Sequence, residues 1–181
     1  MKDIPNMNEQ IFVSTLLHEM NGKASTILDI FSGWMIGGFA ATAALLVSQF
    51  DSVAKHLDPH VIHGFLIIFL WSLVLVILQK FIAVLVASAS QGASVGREAG
   101  EKTKDIPTPL NIEIVLAELK NSIFPPMRWF VGRSYSKLMK GDLVSCAQNL
   151  TRIAQIQGLL CLVQVVLVLV AVFKIAFSFH A

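Results

Sequence analysis

The sequence predicts an all-α integral membrane protein with three transmembrane helices, at about 27–50, 60–86 and 154–177, and a helical cytoplasmic subdomain between the second and third. Three observations carry this reading. The first is composition: 55% of the 181 residues are hydrophobic and only 14% are charged, where a soluble domain carries about 25% charge. The second is distribution: Ile30–Phe50 and Ile153–Phe173 each run 21 residues without Asp, Glu, Lys, Arg or His, and Gly64–Gly96 is interrupted only by Lys80. A run of about 20 apolar residues crosses a hydrocarbon core of about 30 Å as a helix. The third is where the basic residues fall. Arg97, Lys102, Lys104, Lys120, Arg128, Arg133, Lys137, Lys140 and Arg152 lie in one loop, whereas the loop between the first two spans holds only Lys55. Basic loops stay on the cytoplasmic side. The expected topology therefore has the N-terminus in the cytoplasm, the C-terminus outside, and the chain in a plasma (inner) membrane as a multi-pass protein. The low charge excludes a disordered chain, a coiled-coil rod and a highly charged nucleic-acid binder. Buried core helices of a soluble domain are the rival, but a soluble fold of this size rarely supplies three such runs.

The organisation follows in order. Residues 1–24 are read as an N-terminal cytoplasmic or interfacial segment, 25–96 as a transmembrane hairpin whose second helix extends into the cytoplasm, 97–152 as a cytoplasmic helical region and 153–181 as the C-terminal span. Asp3, Glu9, Glu19 and Asp29 precede the first apolar run. A signal peptide begins with a short basic segment instead, so the first span is expected to be an uncleaved anchor. Within residues 7–21, Met7, Ile11, Leu16, Leu17 and Met20 fall near one face of a helix, and Asn21-Gly22 reads as its stop. That helix is expected either to lie in the membrane interface or to bury its apolar face on the inner loop. Thr26 and Asp29 form a possible capping pair for the first span.

Gly33, Gly37 and Ala41 recur every four residues in that span, a spacing of small residues that lets two helices approach closely in lipid. The second span opens with Asp58 as N-cap and Pro59 at the first helical position. Its apolar run outlasts the membrane, since Gly64–Gly96 is about 50 Å long as a helix. The emerging part carries a glycine-zipper stripe, Ser88, Gly92, Gly96 and Gly100. Glycine costs a helix about 1 kcal/mol, so the stripe is read as a close helix–helix contact, with a flexible connector as the alternative. Three polar residues are placed at membrane depth: Asp29, Lys80 and Gln164. An unpaired charge there is costly, which makes an Asp29–Lys80 pair a reasoned expectation and lone snorkelling of Lys80 the alternative. Gln164 is expected to hydrogen-bond a neighbouring helix.

Pro107 and Pro109 break the chain after the second helix. A short amphipathic helix is expected over Asn111–Ser122, with Ile112, Val115, Leu116 and Leu119 inward. Arg128, Trp129 and Phe130 look like an interfacial anchor on the basic side. A final inner helix is expected from Ser134 and could run straight into the third span through Arg152.

Motifs for catalysis fail on inspection. His18-Glu19 lacks the second histidine of a zinc-protease helix, because position 22 is glycine. Gly96–Thr103 reads G-R-E-A-G-E-K-T, with Gly, Lys and Thr at phosphate-loop spacing, but Glu101 precedes the lysine and would repel phosphate. Cys146 and Cys161 are read as small apolar fillers. His56, His60 and His63, with Asp51 and Asp58, crowd the outer loop and are the candidate metal or proton site, against the commoner case of ordinary surface histidines. No catalytic residue and no cofactor is expected. The functional expectation is a non-enzymatic, oligomeric, channel-like or effector module of the inner membrane, gated or recruited through its cytoplasmic helices. The alternative is a structural subunit of a larger membrane complex for secretion, transfer or defence. The expected partners are the lipid bilayer, further copies or other membrane subunits, and a cytoplasmic protein; nucleic acid is not expected.

Overall fold

The computed structural model describes residues 7–53, 57–102, 112–121 and 143–178. Among these the chain is entirely helical: α1 (Met7–Ser48), α2 (Phe50–Val53), α3 (Pro59–Lys102), α4 (Ile112–Asn121) and α5 (Leu143–Ser178). α1, α3 and α5 are each long and apolar enough to cross a membrane, consistent with a multi-pass membrane protein. With 42, 44 and 36 residues they are about 63, 66 and 54 Å long, well beyond the ~30 Å of a hydrocarbon core.

Local chemistry accounts for most boundaries. Asp58 caps α3: its carboxylate accepts a hydrogen bond from the His60 N–H at 2.8 Å, and its carbonyl accepts from Val61 N. Pro59 follows at the first helical position, where a missing N–H costs nothing. α3 ends at Lys102, ahead of the two prolines. α4 matches the expected short helix to within a residue at each end. Val115, assigned inward from the sequence, is exposed; nothing in the structure explains it.

Two expectations are corrected. No helix stop exists at Asn21-Gly22, and Thr26 and Asp29 are interior to α1 rather than caps. Helical continuity is favoured because Asn21 and Gly22 are both held by neighbours: the Asn21 amide donates to the Thr151 hydroxyl at 2.8 Å, and Gly22 lies against Ser90. The glycine-rich part of α3 is likewise helix, not connector.

The chain divides into two compact units, Met1–Gly22 with Ser88–Arg152, and Lys23–Ala87 with Ile153–Ala181. In the first, α1 meets α3 through polar and small groups. Ser90 donates to the His18 carbonyl at 3.1 Å, and Arg97 donates to the Thr15 hydroxyl. The apolar residues Met7, Ile11, Leu16 and Met20, expected either at the membrane interface or against the inner loop, are exposed.

In the second unit α1 and α5 run parallel and in direct contact, and α3 packs antiparallel to both. The buried positions of α5 there, Ala154, Gln157, Cys161, Gln164 and Ala171, follow steps of three, four and seven residues. α3 does the same with Ile62, Phe65, Ser72, Val76 and Gln79. Such steps are the signature of a left-handed bundle seam. At one end, Phe39 meets Phe65 and Phe69 edge-on, with ring centroids 4.9 and 5.3 Å apart, and Ala43 and Ala171 make room beside them. This bundle reverses the pattern of a soluble protein. Its fully buried positions include Ser25, Ser32, Ser72, Gln79, Gln157 and Gln164, while Trp34, Leu70, Trp71, Leu162 and Phe173 are exposed. In lipid nothing drives large apolar side chains inward, and small or hydrogen-bonding residues line helix contacts instead.

Candidate functional site

The chemistry of the second unit is concentrated on a polar seam between its helices. Ser25 and Ser32 stand two turns apart on α1, and Gln157 and Gln164 stand two turns apart on α5. The parallel alignment therefore pairs them in two rungs. In one, the Ser25 hydroxyl donates to Gln157 Oε1 at 2.7 Å, and Gln157 Nε2 donates back to the Ser25 carbonyl at 3.2 Å. In the other, Gln164 Oε1 accepts from the Ser32 hydroxyl and from Gln79 Nε2, both at 2.9 Å. That second rung joins all three helices through one oxygen. The sequence singled out Gln164 but missed Gln79, Gln157 and both serines. Polar residues recurring at seven-residue spacing on two helices were the signal that would have found them.

Beside the seam lies an ion pair: Lys80 Nζ sits 2.7 Å from Asp29 Oδ1. The lysine side chain is 48% exposed and the aspartate 30%, so the pair opens to the outside of the unit. Gly33 lies near it, with Lys80 Nζ at ordinary van der Waals distance, 3.9 Å, from where a Cβ would stand. A closer approach occurs where Lys174 on α5 extends its ammonium over Gly64 on α3. There glycine leaves space for the lysine stem to lie across the helix and carry its charge toward a polar boundary.

Among the described residues nothing comes within 4 Å of a Cβ position at Gly37, Gly38, Gly92, Gly96 or Gly100, and Ala41 and Ser88 are exposed. His60 and His63 are exposed at the start of α3, His56 lies outside the described residues, and among the described residues no group of three or more His, Cys, Asp or Glu is placed to hold a metal ion. Arg128, Trp129 and Phe130 also lie outside the described residues. Gly96–Lys102 is helix interior, so this segment does not form the anion-cradling loop that its phosphate-loop spacing would require.

The chain matches no known family, curated protein or solved structure. Its function is therefore argued from the seam, the ion pair and the open faces.

Proposed function

We propose that this protein is a non-enzymatic membrane module that works as a homo-oligomer, channel-like or effector in type, recruited or gated through its cytoplasmic helices. The observation that carries the reading is the Asp29–Lys80 pair, half-open beside an apolar span. A charged side chain within a membrane helix is costly, and a neighbouring chain that covers the pair reduces that cost. The open face Gly37, Gly38, Ala41 and Thr42 continues from it along α1 and offers the close backbone approach that helix association in lipid uses. The interior of the second unit is occupied by Phe39, Phe65, Gln79 and Gln164, so a conduction path would run between chains. The concentration of basic residues between α3 and α5 favours a cytoplasmic location for that segment and for the N-terminus, in an inner membrane.

The test is expression of the chain alone, extraction into nanodiscs and native mass spectrometry, followed by conductance in planar bilayers. A defined oligomer, dissociated when Asp29 and Lys80 are both replaced by leucine, is expected. A stable, monodisperse monomer overturns the proposal. A second reading, a subunit of a larger complex, is favoured by one specific surface. Phe12, Leu16, Met20 and Val95 are exposed in the first unit, where a shallow groove is lined by Asn8, Ile11, Phe12, Thr15 and Arg97. On that reading the chain alone is monomeric or degraded, and is stabilised by co-expressed partners.

A further inference from the structure

Hydrogen-bonding capacity in the seam is unevenly filled. Gln157 uses both ends of its amide, because the Ser25 carbonyl lies within reach of its nitrogen. Gln164, one heptad on, does not: its Oε1 accepts twice while its Nε2 has no partner. Gln79 donates through Nε2 but its Oε1 accepts nothing, and the Ser72 hydroxyl, two turns away on the same face of α3, is also unpartnered. All three residues are fully buried. Exchanging nitrogen and oxygen does not remove the deficit. Turning Gln79 alone sets two carbonyl oxygens against each other. Turning both amides lets Gln164 donate to Gln79, but still leaves one amide donor and one carbonyl acceptor open.

Buried polar groups left without partners cost about 1–3 kcal/mol each, and the common remedy is an ordered water with two to four polar contacts. We propose that Gln79 and Gln164, which meet at 2.9 Å, and Ser72, about 10 Å further along the same face of α3, line a seam that holds internal water within the three-helix bundle. The open set selects the ligand class. It needs an acceptor for the Gln164 amide, a donor for the Gln79 carbonyl, and either for the Ser72 hydroxyl. Water supplies all three. A bare cation is opposed by the amide N–H, and an anion by the carbonyl oxygen. Ser32, whose hydroxyl donates to the same Gln164 oxygen, is a small side chain facing this rung. The site makes the Gln79–Gln164 rung a hydrated contact and the Ser25–Gln157 rung a dry one. This inference does not depend on oligomerisation.

The test uses the full chain in bilayers with deuterated acyl chains and water-edited solid-state NMR. Rapid transfer of water magnetisation to the Gln164 side-chain amide is expected, with little to that of Gln157; equally slow transfer to both overturns the site. Thermal unfolding of Ser72→Ala supplies a readout of sign. A hydroxyl that holds water lowers the melting temperature when deleted, by about 2–4 °C. A hydroxyl buried without a partner raises it when deleted. A raised or unchanged melting temperature removes Ser72 from the site and overturns the proposal as stated.

Discussion

Gln164→Leu is the sharpest perturbation of this protein. Gln164 Oε1 accepts two hydrogen bonds in the second unit, from Ser32 and Gln79, and leucine removes both while keeping a side chain of similar volume. Hydrogen bonds between membrane helices average about 0.6 kcal/mol by double-mutant cycles, so the two bonds contribute about 1.2 kcal/mol. The stranded donors matter as much. Ser32 can turn its hydroxyl to the carbonyl four residues back along α1, but Gln79 is fully buried and its amide is left unpaired at about 1–3 kcal/mol. The expected loss is about 2–4 kcal/mol. Reversible unfolding by SDS titration in mixed micelles, or steric trapping in bilayers, reads this directly. The double variant Gln79→Leu/Gln164→Leu is expected to recover part of the loss, because it strands no amide, and the coupling between the two sites should reach about 1 kcal/mol. If Gln164→Leu is as stable as the parent chain, or the two substitutions are additive, the three-helix rung is not holding the bundle and the reasoning fails.

The other expectations concern glycine, charge and lipid contact. Gly22→Ala is expected to destabilise by about 1–2 kcal/mol, because its Cβ would meet Ser90 Oγ at 2.6 Å and Ser90 Cβ at 3.1 Å; a neutral result in the unfolding assay contradicts that contact. Gly96→Ala meets no described residue and should stabilise the helix by about 0.5–1 kcal/mol, whereas Gly96→Leu should weaken the oligomer in native mass spectrometry if copies meet along that stripe; normal assembly of the leucine variant removes the stripe from the interface. Asp29→Leu strands a charge and should lower stability more than Asp29→Leu/Lys80→Leu does; the reverse order on chemical unfolding argues against the pair. Trp34 is 80% exposed, so with Trp71 and Trp129 changed to phenylalanine its fluorescence should be strongly quenched by brominated acyl chains. Weak quenching would mean that this face does not meet lipid.

Much of the fold was legible because the bilayer imposes a simple rule. Backbone polar groups have no water to bond in hydrocarbon, so a long charge-free run must be helix, and Ile30–Phe50 and Ile153–Phe173 therefore declared two spans. Asp58 and Pro59 marked the start of α3 through chemistry confined to neighbouring residues. The Asp29–Lys80 pair was inferable from the cost of an unpaired charge at depth, even though 50 residues separate the two. Asn21-Gly22 misled because a local stop signal of this strength yields to contacts from other helices, here Thr151 and Ser90.

Composition and charge placement by themselves determined three apolar helices long enough to cross a membrane. Only tertiary structure decided which face of each helix is interior. In water a helix buries its apolar stripe, so hydropathy reveals the inward side. In a lipid-exposed bundle both faces are acceptable to hydrophobic side chains, and the choice passes to small and polar residues whose partners lie on other helices. Gln79 and Gln164, 85 residues apart, meet at 2.9 Å because the parallel and antiparallel registers of three helices bring them level, and no local property of either residue encodes that meeting.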